Sequence, residues 1–204
     1  MQIGQVLISI WDNLTTPVQT LLQFITMKKV KNWKKYCKVA YNSLRANVEL
    51  WGDPDYFRPI TRTFYESVFS SGYDHNGFIS EDALNNPEQR TQDHCLSPQF
   101  IGRMIMDNAE IYLNDYTLFE NLFWIARTTI VVTKEENKKL SMLTDNRGID
   151  YKVYIPTDQK YKHLGIKLYH RKGREWKTSV PFDNNIIPTP TDLLSYEQNF
   201  LVCQ

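Results

Sequence analysis

DHCLSP (93–98) and LFWIARTTIVVTKEENKKL (122–140) are the two stretches whose reading decides the fold. The second opens with aromatic and β-branched residues, which predicts a strand over 122–132. Thr133 followed three positions on by Glu136 is a capping box, so a helix is expected from there to about Leu143. Asp93 and His94 are neighbours, and on an extended chain their side chains point to opposite sides. Just after them, Ser97 reads as an N-cap with Pro98 at the first helical position. Apolar residues at 100, 101, 104, 105, 111 and 113 then predict a helix over Phe100–Leu113.

Upstream, residues 71–92 are rich in Ser, Gly, Asn and Asp and read mainly as loop. Residues 60–70 predict a short helix, and Gly52-Asp53-Pro54-Asp55 a helix stop and turn. Trp33, Cys37, Ala40, Tyr41, Leu44, Val48 and Trp51 recur at spacings of three and four, one face of an amphipathic helix. Its other face carries lysines: residues 28–38 hold six of them and no acid. That run is either a solvated helix face or a phosphate-contacting one. Downstream of Asn146-Arg147-Gly148 the chain turns β-like, and Arg171-Lys172-Gly173-Arg174 between two alternating stretches marks a hairpin turn.

The whole chain of 204 residues is 42% hydrophobic and 23% charged, which excludes disorder as the dominant state. The net charge of +1 gives no global attraction to nucleic acid, so any such attraction must be local. Three cysteines, Cys37, Cys95 and Cys203, form no CxxC pair, which argues against a zinc ribbon or disulfide framework and for a reducing cytoplasm. No run has membrane-spanning quality, so no membrane association is expected. Residues 1–26 are apolar but lack a basic leader region; Met27 is expected to be the functional start, with 1–26 dispensable or peripherally packed.

The succession Asp93-His94, Asn121-Leu122 and a strand leading into Thr133-Lys-Glu-Glu-Asn137 resembles the HNH endonucleases of the His-Me finger superfamily, especially the phage-encoded homing type. The resemblance covers about a quarter of the chain. It implies an α+β fold with N-terminal helices, a ββα-metal core and a C-terminal β-rich basic extension. The corresponding parts are 1–26, a helical DNA-contacting part 27–90, the core 91–146 and the extension 147–204. It further implies a metal-dependent DNA endonuclease with His94 as general base, Asp93 and Asn137 holding Mg²⁺ or Mn²⁺, and Asn121 bracing the loop. Histidine suits the base role because its ordinary pKa, about 6.5, leaves it mostly neutral at pH 7. A hard cation takes one carboxylate and one amide oxygen readily. The separation of Asn121 from Asn137 is long for the pattern: either the connecting strand is longer or one Asn is misassigned.

Each residue also has a plainer reading. His94 could also be a satisfied polar group beside a helix start, Asn137 an exposed helical residue, Glu136 only a cap, and Cys95 a small buried side chain. His75, in a second Asp-His pair, is followed by Asn76-Gly77 and reads as a turn histidine.

From Lys152 to Lys177 there are eight Lys/Arg against two acids, interleaved with aromatics, which fits a β-ribbon on a phosphate backbone. The expected contacts to double-stranded DNA are Lys28, Lys29, Lys31, Lys34 and Lys35 on one side of the site. On the other are Lys160, Lys162, Lys167, Arg171, Lys172 and Arg174, with Lys160, Lys162 and His163 on or near one strand. A single centre cuts one strand, so double-strand cleavage would take a homodimer or sequential nicks. Two alternatives remain: a PD-(D/E)XK-type nuclease using Glu175-Trp176-Lys177, and a non-catalytic DNA-binding protein. The expected setting is cytoplasmic, that of a bacterial host if phage-encoded.

Overall fold

The computed structural model describes residues 32–51, 53–144 and 157–172, and beyond these residues 176, 179–183, 185, 187, 189, 193, 195 and 196. The first helix, α1 (Trp33–Arg45), buries Cys37, Ala40, Tyr41 and Leu44, the face its spacing predicts, while Val48 lies past its end and is exposed. Asp53 caps α2 (Pro54–Ser70) by accepting from Asp55 N, so this helix starts earlier than its apolar periodicity suggests.

The expectation of a loop over 71–92 is not met. Residues 74–80 form strand β1 (Asp74–Ser80), a short helix α3 (Glu81–Asn85) follows, and strand β2 (Arg90–His94) comes next. The physical reason lies at Gly77, whose φ of 85° is left-handed. Its turn chemistry makes a bulge inside the strand, where the register shifts between His75 and Ile79, rather than ending it. A side chain at Gly77 would press on His170 at 3.3 Å.

After Ser97, the predicted single helix divides into α4 (Pro98–Asp107) and α5 (Ala109–Tyr112); Pro98 sits at the first turn, and Ser97 makes no side-chain cap bond. The strand expected over 122–132 is mostly helix. Asp115 Oδ1 accepts from Thr117 N and Leu118 N and opens α6 (Tyr116–Arg127). Phe119, Leu122, Phe123 and Ala126 then fall at helical spacing and are buried. Only the β-branched run makes strand β3 (Thr128–Thr133).

Helix α7 (Lys134–Thr144) begins where the capping box places it. Glu136 Oε2 accepts from Thr133 N at 2.7 Å, Thr133 Oγ1 accepts from Glu136 N at 3.2 Å, and the same carboxylate accepts from Ser80 Oγ at 2.6 Å. Glu136 is therefore fully engaged as a buried cap.

The segment 145–156 lies outside the described residues. Past it, Thr157–Gln159 is a 3-10 turn and Lys160–His163 a helical turn, α8, so Lys160, Lys162 and His163 do not share a strand. Strands β4 (Leu168–Arg171) and β5 (Ser179–Phe182) pair antiparallel, as the two alternating stretches predict; Arg171, expected in the turn, is in β4 opposite Ser179, and residues 173–175, 177 and 178 between the strands lie outside the described residues.

Among the described residues the strands form one sheet in the order β2-β3-β1-β4-β5, with β1 and β3 parallel and the other neighbours antiparallel. The class is α+β. One sheet thus draws strands from each of the parts 27–90, 91–146 and 147–204. The larger core lies among α1, α2, α4 and α6, where Phe64 meets Phe119 and Phe123 edge to face at 5.8 and 5.7 Å. Each such ring contributes about 2 kcal/mol by burial alone. A second core lies between the sheet and α7–α8, built from Phe78, Cys95, Ile130, Val132, Leu140 and Tyr161. No helix among the described residues is long and apolar enough to cross a membrane.

Candidate functional site

Strand β2 pairs with β3 so that Asp93 stands opposite Ile130 and His94 opposite Thr129. Strand alternation sends the two side chains to opposite faces. Asp93 points into the α7–α8 side. Its Oδ2 accepts from Tyr161 Oη at 2.5 Å and lies 2.6 Å from Lys160 Nζ. Lys160, 4% exposed, also donates to the backbone oxygen of His94 at 2.7 Å. The lysine expected to touch DNA is a buried clamp on the Asp93-His94 dipeptide. Tyr161 is fully buried, and desolvation beside the Asp93 charge raises its hydroxyl well above the ordinary range.

His94 points the other way, where α2 ends and β1 begins. The rings of Phe69 and Tyr73 stand 5.3 and 5.4 Å from the imidazole. Nδ1 lies 2.8 Å from the carbonyl oxygen of Ala126. A carbonyl only accepts, so Nδ1 carries the proton and Nε2 keeps its lone pair. Nε2 is buried with no hydrogen-bond partner among the described residues. Burial lowers the imidazole pKa against the opposing pull of the Ala126 bond and the Asp93 charge, so the ring is neutral at pH 7.

Asn137 lies half-buried in α7, the helix that packs through Leu140 on the Ile130 side of the sheet, away from the His94 ring. Asn121 is exposed on α6. The predicted set is therefore not brought together. Asp93 is already paired with a lysine and a phenol, His94 faces the opposite way, and these residues do not fit a single divalent cation. Among the described residues no group of three or more His, Cys, Asp and Glu side chains could hold a metal ion.

Asp74 and Arg127 form a second buried polar pair at this end of the sheet, one that the sequence does not announce. Arg127 is fully buried; its Nε donates to Ser71 Oγ at 2.8 Å and Gly72 O at 3.1 Å, and its guanidinium lies 5.2 and 4.9 Å from the Trp33 and Trp124 rings. Asp74 Oδ2 and Arg127 Nη1 have no hydrogen-bond partner among the described residues. Burial pushes the Asp74 carboxyl up to about 6, outweighing its attraction to Arg127.

That shift has a testable sign. Between the ordinary value of 3.8 and about 6, the folded chain keeps a proton that the unfolded chain has released. Stability therefore falls as pH rises through this window and is level with respect to Asp74 above it. Asp74→Asn removes this slope. Thermal melts of both proteins from about pH 4 to about pH 6.5 should show wild type losing ground to the variant as pH rises. Parallel curves would contradict the assignment.

The remaining expected sites divide. Lys28, Lys29, Lys31, Arg174, Glu175 and Lys177 lie outside the described residues. Lys35, Lys162 and Lys172 are exposed, Lys34 is 3.5 Å from Glu120, and Lys167 is 3.2 Å from Glu81. Arg171 stacks over Trp176 at 4.9 Å. Cys95 is buried and its thiol is pushed up to about 12 by desolvation, which leaves it inert as a nucleophile. His75 is not in a turn: it is exposed on β1, opposite Thr129. Comparison with protein-family models, with curated proteins and with solved structures finds no match for this chain.

Proposed function

We propose that the chain cleaves phosphodiester bonds in nucleic acid, with His94 as the general base. One observation carries the reading: Nδ1 is fixed as the donor to Ala126 O, which leaves an unpartnered, unprotonated Nε2. A base needs that tautomer and a neutral ring at working pH. The antiparallel β2 and β3 followed directly by α7 supply the strand, strand, helix succession of a ββα finger, with α4–α6 inserted between the strands. Exposed lysines on α1 and near β4 supply attraction to a polyanion. No step is assigned to a cation held by Asp93 and Asn137.

A non-catalytic nucleic-acid-binding role is the second reading, favoured by the enclosure of His94 Nε2 between protein groups. Supercoiled plasmid and single-stranded RNA, each incubated with the full chain in Mg²⁺ and in EDTA, separate the two. Scission of either substrate is expected. Retarded but intact nucleic acid under every condition would leave only the binding role.

A further inference from the structure

The two Asp-His pairs in the sequence place both histidines on one row of the sheet. His75 and His94 stand on either side of Thr129, His75 from the parallel neighbour β1 and His94 from the antiparallel neighbour β2. Directly paired residues share a face. Gln92, two positions before His94, confirms the shared face by spanning it: its Oε1 accepts from Thr129 Oγ1 at 3.4 Å, and its Nε2 lies 3.4 Å from His75 Nε2. Two strand spacings put the flanking Cα atoms about 10 Å apart, within reach of one nucleotide held between the two side chains. Exposed Phe69, 5.3 Å from His94 and 4.4 Å from Tyr65, offers a ring on which an unpaired base stacks. Access to Nε2 requires the Phe69 or Tyr73 ring to turn.

We propose that the His75–Thr129–His94 row is a two-imidazole site for single-stranded RNA, cleaving by attack of the 2′-hydroxyl without a metal ion. This rests on the reading of His94 as a base and names the substrate and the second catalytic group. His94 Nε2 takes the 2′-hydroxyl proton as that oxygen bonds to phosphorus. The P–O5′ bond breaks and its electron pair leaves on O5′; the His75 imidazole, protonated once the Gln92 amide that donates to its Nε2 has turned away, gives O5′ a proton. The products are a 2′,3′-cyclic phosphate and a 5′-hydroxyl; proton exchange with water resets the two rings. DNA lacks the 2′-hydroxyl and cannot follow this route, and neither proton transfer calls on Asp93 or Asn137.

The test is cleavage of an end-labelled single-stranded RNA and of the same sequence in DNA, in EDTA and in Mg²⁺, by wild type, His75→Ala and His75→Asn. Wild type is expected to cut the RNA in EDTA with a cyclic-phosphate end and to leave the DNA whole. Both variants should lose about 10²- to 10⁴-fold in rate. Their melting temperatures should match wild type, since His75 is exposed. DNA cut only with Mg²⁺, or RNA cut equally by the His75 variants, would overturn this inference while leaving His94 as a base. No cleavage of either strand would overturn both.

Discussion

His94→Ala is expected to lower the rate of nucleic-acid cleavage by about 10²- to 10⁴-fold, the range a positioned general base supplies. The loss should fall on kcat, because the imidazole acts on a proton in flight and carries no substrate-binding charge at pH 7. The fold should survive. The imidazole is neutral and part-buried beside Phe69 and Tyr73. Removing it leaves one backbone carbonyl, that of Ala126, without its partner, a cost of about 1–3 kcal/mol. Circular dichroism and a thermal melt beside the cleavage assay check both halves. Undiminished cleavage by the folded variant would remove His94 from the chemistry.

The second large effect is on stability and falls on the neighbouring residue. Asp93→Ala strands the ammonium of Lys160 in a site where the lysine is 4% exposed, and removing one member of such a pair costs about 3–5 kcal/mol. Lys160→Met in the same chain should restore most of that loss, because the stranded charge is then gone. A carboxylate whose main role was to bind a cation would behave otherwise: its removal would leave stability nearly unchanged and gain nothing from Lys160→Met. Urea denaturation of wild type, both single variants and the double variant measures the coupling. Additive losses would show that Asp93 and Lys160 are not a pair in solution.

Some of this was legible in the residues, for reasons that can be named. Helix α1 was, because Cys37, Ala40, Tyr41 and Leu44 repeat every three or four residues and face one core. The start of α7 was, because the Thr133–Glu136 box is a purely local arrangement of hydrogen bonds. What misled was chemistry with two meanings. Asn76-Gly77 is turn chemistry, but here Asn76 Oδ1 accepts from Phe78 N within a bulged central strand. Leu122-Phe-Trp-Ile is strand-like in composition, but Asp115 had already opened a helix, and Phe119 and Phe123 continue its buried face.

The site was half legible. Alternation along β2 already separated Asp93 from His94, and the Ala126 carbonyl that holds His94 is a backbone group no sequence pattern marks. Lys160 sits in a lysine-rich run that reads as surface; it is buried because Asp93, 67 positions earlier, meets it across the β2–α8 contact. The rival histidine was visible as Asp74-His75, but its place on the same row as His94 follows only from the order β2-β3-β1.

The central claim is that His94 is held neutral and protonated on Nδ1, with Nε2 unprotonated and unpartnered behind the Phe69 and Tyr73 rings. Long-range proton–nitrogen correlation spectra of the imidazoles, assigned by the loss of one set in His94→Ala, test it directly at pH 7. The account predicts a pyrrole-like Nδ1 and a pyridine-like Nε2 for His94. An imidazolium, or the tautomer with its proton on Nε2, would contradict it.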